Sequence, residues 1–127
     1  MRKYVFVGPN GDLWPQVAAA LFNQLADSRA AYAVAVGLDP APVVHPSAVR
    51  LLEEKGVRLP PNAPFRFTPG IARGAEAILV FGCGPDIGAA PGVRRLDWET
   101  PRSKEEPLEQ LRAWRDEVYA RIVVAGK

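Results

Sequence analysis

Cysteine and histidine, two residue types that often carry covalent and acid–base chemistry, are rare in this chain. Cys83 is the single cysteine and His45 the single histidine among 127 residues. Cys83 lies between Gly82 and Gly84, directly after an apolar run, where a thiol could act as a nucleophile or a redox centre. No Lys, Arg or His stands beside it in sequence to stabilise the thiolate, so an unreactive loop thiol is the preferred interpretation.

His45 is followed by Pro46, which suits the first turn of a helix. A histidine can be a base or a metal ligand, but this position favours local hydrogen bonding at the helix start. One cysteine and one histidine also cannot build an intrachain disulfide or a cysteine-rich zinc site. We therefore expect this chain to hold no metal and no cofactor.

A loop between the first predicted strand and the first predicted helix is the third candidate. Its residues are Gly8, Pro9, Asn10, Gly11, Asp12, Leu13 and Trp14. The Asn-Gly-Asp run is typical of a tight turn, although it could also contact a ligand. Trp14 has two interpretations that stay open at this stage: its ring folds into a vacant pocket, or it contacts a partner from an exposed position.

Composition excludes several classes of function. Sixteen basic and fourteen acidic residues give a net charge of +2, and the two signs interleave, which argues against nucleic-acid binding. No segment approaches the ~18 consecutive apolar residues of a membrane span, and the amino terminus does not resemble a signal peptide. We expect a cytoplasmic protein without membrane contact, in which residues 1–127 form a single domain.

Short apolar runs predict the strands. They lie at residues 4–7, 32–36 and 77–81, with a weaker strand at 93–96. Residues 60–67 contain three prolines and are expected to be irregular.

Apolar side chains at three- and four-residue spacing predict the helices. The first two begin at Pro15 and Pro46, and a short third helix follows Thr68. The last follows a capping box at Ser103 and Glu106. Strands that alternate with helices predict a doubly wound α/β domain with a four-stranded parallel sheet and helices on both faces. Ligands bind such sheets at the carboxyl ends of the strands, which makes the loop at residues 8–14 the default site.

Three stretches of the chain, taken together in their order and spacing, resemble the motifs of a known family. They are Gly37-Leu-Asp-Pro-x-Pro-Val-x-His45-Pro-x-Ala-Val49 with Glu53-Glu-Lys-Gly56-Val, Gly82-Cys83-Gly84 with Pro91-Gly92-Val-x-x-Leu96-Asp97-Trp98, and the first strand and loop with Arg112-x-x-Arg115-Asp116-Glu117. Together they resemble the low-molecular-weight protein tyrosine phosphatase superfamily, specifically its thioredoxin-coupled arsenate reductase branch. The resemblance spans nearly the whole chain and implies that superfamily's fold.

The resemblance also implies where the chemistry would lie. In the family a cysteine and an arginine with five residues between them flank a loop that cradles phosphate or arsenate; here Gly8 and Trp14 stand in their positions. Pro9 has no N–H to offer an anion, and Asp12 adds a negative charge. The family's general acid falls on Thr100, whose hydroxyl is no proton donor near neutral pH.

Cys83 matches the first of two relay cysteines in the reductase branch, whereas the second falls near residues 88–90, where no thiol stands. The resulting hypothesis is a pseudoenzyme that acts as a non-catalytic binding or regulatory protein through residues 8–15, with an unknown protein or small-molecule partner. The main alternative is an active phosphatase-like or arsenate reductase-like redox enzyme that uses Cys83 by unfamiliar chemistry. A purely structural dimer is a third possibility, and the sequence is compatible with a monomer or a homodimer.

Overall fold

The computed structural model describes residues 2–26, 29–59, 64–81, 93–98 and 108–125. In chain order the elements are β1 (Arg2–Gly8), α1 (Trp14–Leu25), β2 (Ala31–Gly37), α2 (Pro46–Glu53), β3 (Phe65–Arg66), α3 (Pro69–Ala72), β4 (Ala77–Phe81), β5 (Arg94–Trp98) and α4 (Leu108–Ala125).

The five strands form one parallel sheet in the order β3-β2-β1-β4-β5. The central strand β1 pairs with β2 over its whole length and with β4 on its other side. Val5, Phe6 and Val7 are fully buried, as expected for a parallel strand covered on both faces. Gly8 therefore ends the central strand at the edge of the sheet where ligands bind in this class of fold.

The predicted α/β class and parallel sheet are confirmed, but the predicted number of four strands is wrong because the described residues already form five. The extra strand, β3, lies inside the segment expected to be irregular. It has only two residues, Phe65 and Arg66, both with exposed side chains. So short a strand carries no alternating pattern, and it exists because its backbone pairs with the end of β2.

Two apolar clusters cover the faces of the sheet unequally. The larger cluster joins Phe6 and Leu79 of the sheet to α1, α2 and α4, which also contact one another. The smaller one joins Val5, Val7 and Ile78 to Ala72 of the short helix α3. Successive residues of β1 point to opposite faces, which explains this division. Helices do lie on both faces, as predicted, but the three long ones that are described share one face.

Local signals account for most helix ends. Thr68 caps α3 by accepting a hydrogen bond from the Ile71 N–H at 3.1 Å, as predicted. Gly56 follows α2 with a φ of 74°, in the left-handed region that glycine adopts without strain. The capping box predicted ahead of α4 lies outside the described residues.

Asn23 of α1 protects the outer edge of β2. Its carboxamide donates to the Ala33 carbonyl at 3.0 Å and accepts from the Ala33 N–H at 2.7 Å. Only Val36 and Gly37 of β2 pair with β3, so Ala33 has no strand partner on that side among the described residues. The Asn23 side chain thus takes the place of a peptide group on a neighbouring strand.

We predict that Asn23→Ala lowers the free energy of unfolding by about 1–3 kcal/mol, because it leaves the buried Ala33 peptide groups without partners. Urea denaturation measures the loss. Gln24→Ala is the matched control, since Gln24 is exposed on the same helix and makes no described hydrogen bond; it should change the free energy by less than about 0.5 kcal/mol. Equal losses in both variants would contradict the role of Asn23.

Candidate functional site

The loop between β1 and α1 is bound by its carbonyl groups to the segment that follows β2. The Gly8 oxygen accepts from the Leu38 N–H at 3.1 Å, and the Pro9 oxygen accepts from the Asp39 N–H at 2.8 Å. The Asn10 oxygen then accepts from the Ala41 N–H at 3.2 Å. Three consecutive carbonyls of the loop are therefore engaged by the neighbouring segment.

The next two carbonyls are engaged as well. The Gly11 oxygen accepts from the Gln16 side-chain amide at 3.0 Å, and the Asp12 oxygen accepts from the His45 N–H at 2.9 Å. The Asn10 side chain adds a bond in the opposite direction, from its amide to the Asp39 carbonyl at 2.9 Å. The path of the loop backbone is consequently held along residues 8–12.

Two glycines permit the close approach of this loop to β2. A Cβ atom on Gly11 would lie 2.6 Å from the backbone carbon of Val36, and one on Gly37 would lie 2.5 Å from the backbone carbon of Asn10. Gly11 also has a φ of 65°. Both positions therefore require glycine, Gly37 for space alone and Gly11 for space and backbone conformation.

Trp14 is the first residue of α1 and is only 5% exposed. Its ring belongs to the larger apolar cluster, together with Leu13 and Val17. Of the two interpretations left open by the sequence, the structure excludes the exposed ring. The indole Nε1–H has no hydrogen-bond partner among the described residues, an unusual situation for a buried polar group.

Gly8 has no room for a side chain in this conformation. A Cβ atom there would lie 2.7 Å from Cγ and 3.2 Å from Cδ of Pro15, in the first turn of α1. The proline ring is stiff, so a larger residue at this position requires a shift of the helix start. Asp12, in the same loop, is 8% exposed and brings a carboxyl group into a nearly buried setting.

Of the seven loop residues proposed from the sequence, only two remain accessible. Pro9 is exposed and Asn10 half-buried, whereas Gly8 and residues 11–14 are buried. The exposed apolar side chains beside the loop belong to the segment after β2: Leu38 is 37% and Val43 59% exposed.

His45 lies next to the loop through its backbone, but its side chain is engaged elsewhere. The imidazole Nδ1 accepts a hydrogen bond from the Ser47 N–H at 3.1 Å and so caps α2. The expected local role of His45 is therefore observed. Cys83 lies outside the described residues.

An ion-pair cluster between α2 and α4 was not identified from the sequence. The Glu54 carboxylate, just after α2, accepts hydrogen bonds at 2.6 Å from Arg112 and 2.6 Å from Arg115. Arg115 is 6% exposed and also donates to the Leu51 carbonyl at 3.2 Å. Two arginines three residues apart share a helix face, which was a usable signal, but the matching carboxylate is far away in sequence.

The two arginines lower the pKa of Glu54 from 4.5 to about 2, chiefly through the hydrogen bond from Arg112 and then through that from Arg115. The folded pKa lies below the unfolded one, so the ionised carboxylate stabilises the fold fully above pH 4.5. That contribution is lost as the pH falls through about 2.

We predict that Glu54→Gln lowers the midpoint of urea unfolding at pH 7 and that the difference from the wild type narrows between pH 4.5 and about 2. The matched control is Glu53→Gln, at an exposed neighbour without an ion pair among the described residues. If the difference in urea midpoint between the wild type and Glu54→Gln stays constant over this pH range, the lowered pKa of Glu54 is contradicted.

Within the described part of the chain, no helix is long and apolar enough to cross a bilayer. The same residues hold no group of three or more His, Cys, Asp or Glu side chains arranged around a common metal position.

Solved structures share this architecture over almost the whole chain. The thioredoxin-dependent arsenate reductase of Corynebacterium glutamicum superposes with a TM-score of 0.83 and 26% identity, and the match covers 98% of this chain and 60% of that one. The arginine phosphatase YwlE of Geobacillus stearothermophilus has a TM-score of 0.81 and 18% identity, with 99% and 91% covered. An arsenate reductase of Archaeoglobus fulgidus has a TM-score of 0.73 and 23% identity, with 98% and 99% covered.

This chain thus spans about three-fifths of the length of the Corynebacterium protein. No protein-family model matches it, and no curated protein matches it by sequence. The arrangement of strands and helices is the feature that this chain shares with both reductases and the phosphatase. By its fold the chain is similar to the arsenate reductases and phosphatases of the low-molecular-weight protein tyrosine phosphatase superfamily.

Proposed function

We propose that this protein is a non-catalytic member of the low-molecular-weight phosphatase and arsenate reductase superfamily, acting as a binding or regulatory protein through the loop at residues 8–15. The observation that carries the proposal is the burial of Trp14 at the start of α1, where the resemblance expects an arginine that clamps an anion. An indole in the apolar core offers no charge and no paired donors to an oxyanion.

The start of the loop supports the same proposal. Gly8, where the resemblance expects the nucleophilic cysteine, supplies no thiolate, and Pro15 occupies the space that a side chain would need. The bound carbonyls of residues 8–12 further favour a fixed loop over one that rearranges around a ligand.

A binding partner would meet only the exposed part of this region. Pro9, Leu38 and Val43 present apolar surface at the carboxyl end of β1 and β2, with the half-buried Asn10 among them. This composition suits a protein or an apolar small molecule better than an anion. The contact surface we propose is therefore the outer rim of the loop.

The proposal is tested by turnover. Two structural neighbours are named as a thioredoxin-dependent arsenate reductase and an arginine phosphatase, so the substrates to use are arsenate with thioredoxin, phosphoarginine and an aryl phosphate. We expect rates equal to a buffer blank for both the wild type and Cys83→Ser, because the nucleophile and the clamp act as one unit and both are absent. Turnover in the wild type that Cys83→Ser abolishes would establish the redox or phosphatase alternative instead.

A further inference from the structure

A groove of about 480 Å³ runs along α1. Its walls are α1, the outer part of β2, the segment after α2, and the start of β3. The floor consists of small side chains, Ala19 and Ala20 of α1 and Ala33 and Ala35 of β2. The volume exists because alanines stand where larger residues would fill the space between helix and sheet, and it lies in the range of small-molecule sites.

The groove does not suit an extended peptide. A peptide that adds a strand to β2 needs the free N–H and C=O groups of that edge, and those of Ala33 are already bonded to the Asn23 carboxamide. The floor remains open above this bond. An occupant therefore has to be recognised by side chains and by shape.

Two lining residues define the chemistry of that occupant. Phe65 of β3 is 68% exposed and offers an aromatic wall. Arg58 lines the same groove, is exposed, and makes no hydrogen bond or ion pair within the described part of the chain. The described residues offer this guanidinium no carboxylate, and an exposed guanidinium can bind one from a ligand in a bidentate pair.

We propose that this groove is a binding site for a small aromatic carboxylate, whose ring lies on the alanine floor against Phe65 and whose carboxylate pairs with Arg58. The site is separate from the rim of the loop at residues 8–15 and does not depend on the function proposed for it. Gln16 connects the two regions, because it lines the groove while its amide binds the Gly11 carbonyl.

The test uses 2-naphthoate as the probe, titrated into the full chain and followed by calorimetry and by amide NMR shifts. We expect saturable binding, with shifts centred on residues 19–24 and 33–35. Arg58→Gln should weaken the affinity about tenfold or more, since it removes a charge-assisted pair. Ala20→Leu, which places a larger side chain in the groove, should weaken it by a similar factor. Arg50→Gln, an exposed arginine outside the groove, should leave it unchanged.

The neutral analogue 2-naphthamide separates the two parts of the recognition. The wild type should bind the amide about tenfold more weakly than the acid. Arg58→Gln should bind the amide and the acid with equal affinity. The absence of saturable binding, or an affinity that neither Arg58→Gln nor Ala20→Leu changes, would overturn the proposal. A wild-type dimer that Ala20→Leu dissociates would also overturn it, by assigning the groove to a second copy of this chain.

Discussion

Gly11→Ala is expected to destabilise this protein by about 2–5 kcal/mol, a large part of the stability of a domain of this size. The left-handed φ of 65° costs an alanine about 1–2 kcal/mol. The new Cβ would also lie 2.6 Å from the backbone of Val36, and such overpacking costs about 1–3 kcal/mol more. Urea denaturation of the purified variant measures the loss.

Two further glycines separate these contributions. Gly56 has a φ of 74°, but a Cβ added there would meet nothing within 4 Å, so Gly56→Ala should lose only the conformational part, about 1–2 kcal/mol. Gly37 has no positive φ, yet its Cβ would lie 2.5 Å from the backbone of Asn10, so Gly37→Ala should lose only the contact part. A loss at Gly11 no greater than that at Gly56 would show that the loop is not packed against β2.

Introducing the two residues that the resemblance expects, with Gly8→Cys and Trp14→Arg, is expected to damage the fold without creating an anion site. Trp14 is 5% exposed, so an arginine there removes core packing and buries a charge, at a cost on the order of 3–5 kcal/mol. A cysteine at residue 8 would in addition have its Cβ 2.7 Å from Pro15.

Trp14→Phe is the matched control for this experiment. It keeps an aromatic ring in the core and removes the indole N–H that has no described partner, so its free energy of unfolding should stay within about 1.5 kcal/mol of the wild type. Circular dichroism and urea unfolding compare the variants. A double variant as stable as the wild type would contradict the packing described for Trp14 and Gly8.

The sequence was sufficient for most of the fold. The apolar runs of β1, β2 and β4 and the periodic helices α1 and α4 are long enough for their patterns to be read, and prolines and glycines separate them. The strand β3 was missed because its two residues pair with β2 through backbone groups alone. The sequence did not predict the unequal covering of the two faces of the sheet. The face that a helix covers depends on how the chain crosses from one strand to the next, and local sequence patterns do not report that path.

The site was only partly accessible from the sequence. The position of the loop followed from the strand–loop–helix order, and the local role of His45 followed from its place before Pro46. The burial of Trp14 could not be decided, since a tryptophan at a helix start is compatible with either a buried or an exposed ring. The bonds from Leu38, Asp39 and Ala41 to the loop join segments about thirty residues apart, and no local pattern reports them.

The central claim, that this loop no longer binds an oxyanion, is tested most directly by titrating phosphate and arsenate into isotope-labelled wild-type protein. The signals to follow are the backbone amides of residues 10–14 and the indole N–H of Trp14. We expect no saturable shift of these signals, because the proposed correspondence places Gly8 and the buried Trp14 where a cysteine and an arginine would bind the anion. Saturable shifts confined to these residues, with a dissociation constant below about 1 mM, would contradict it.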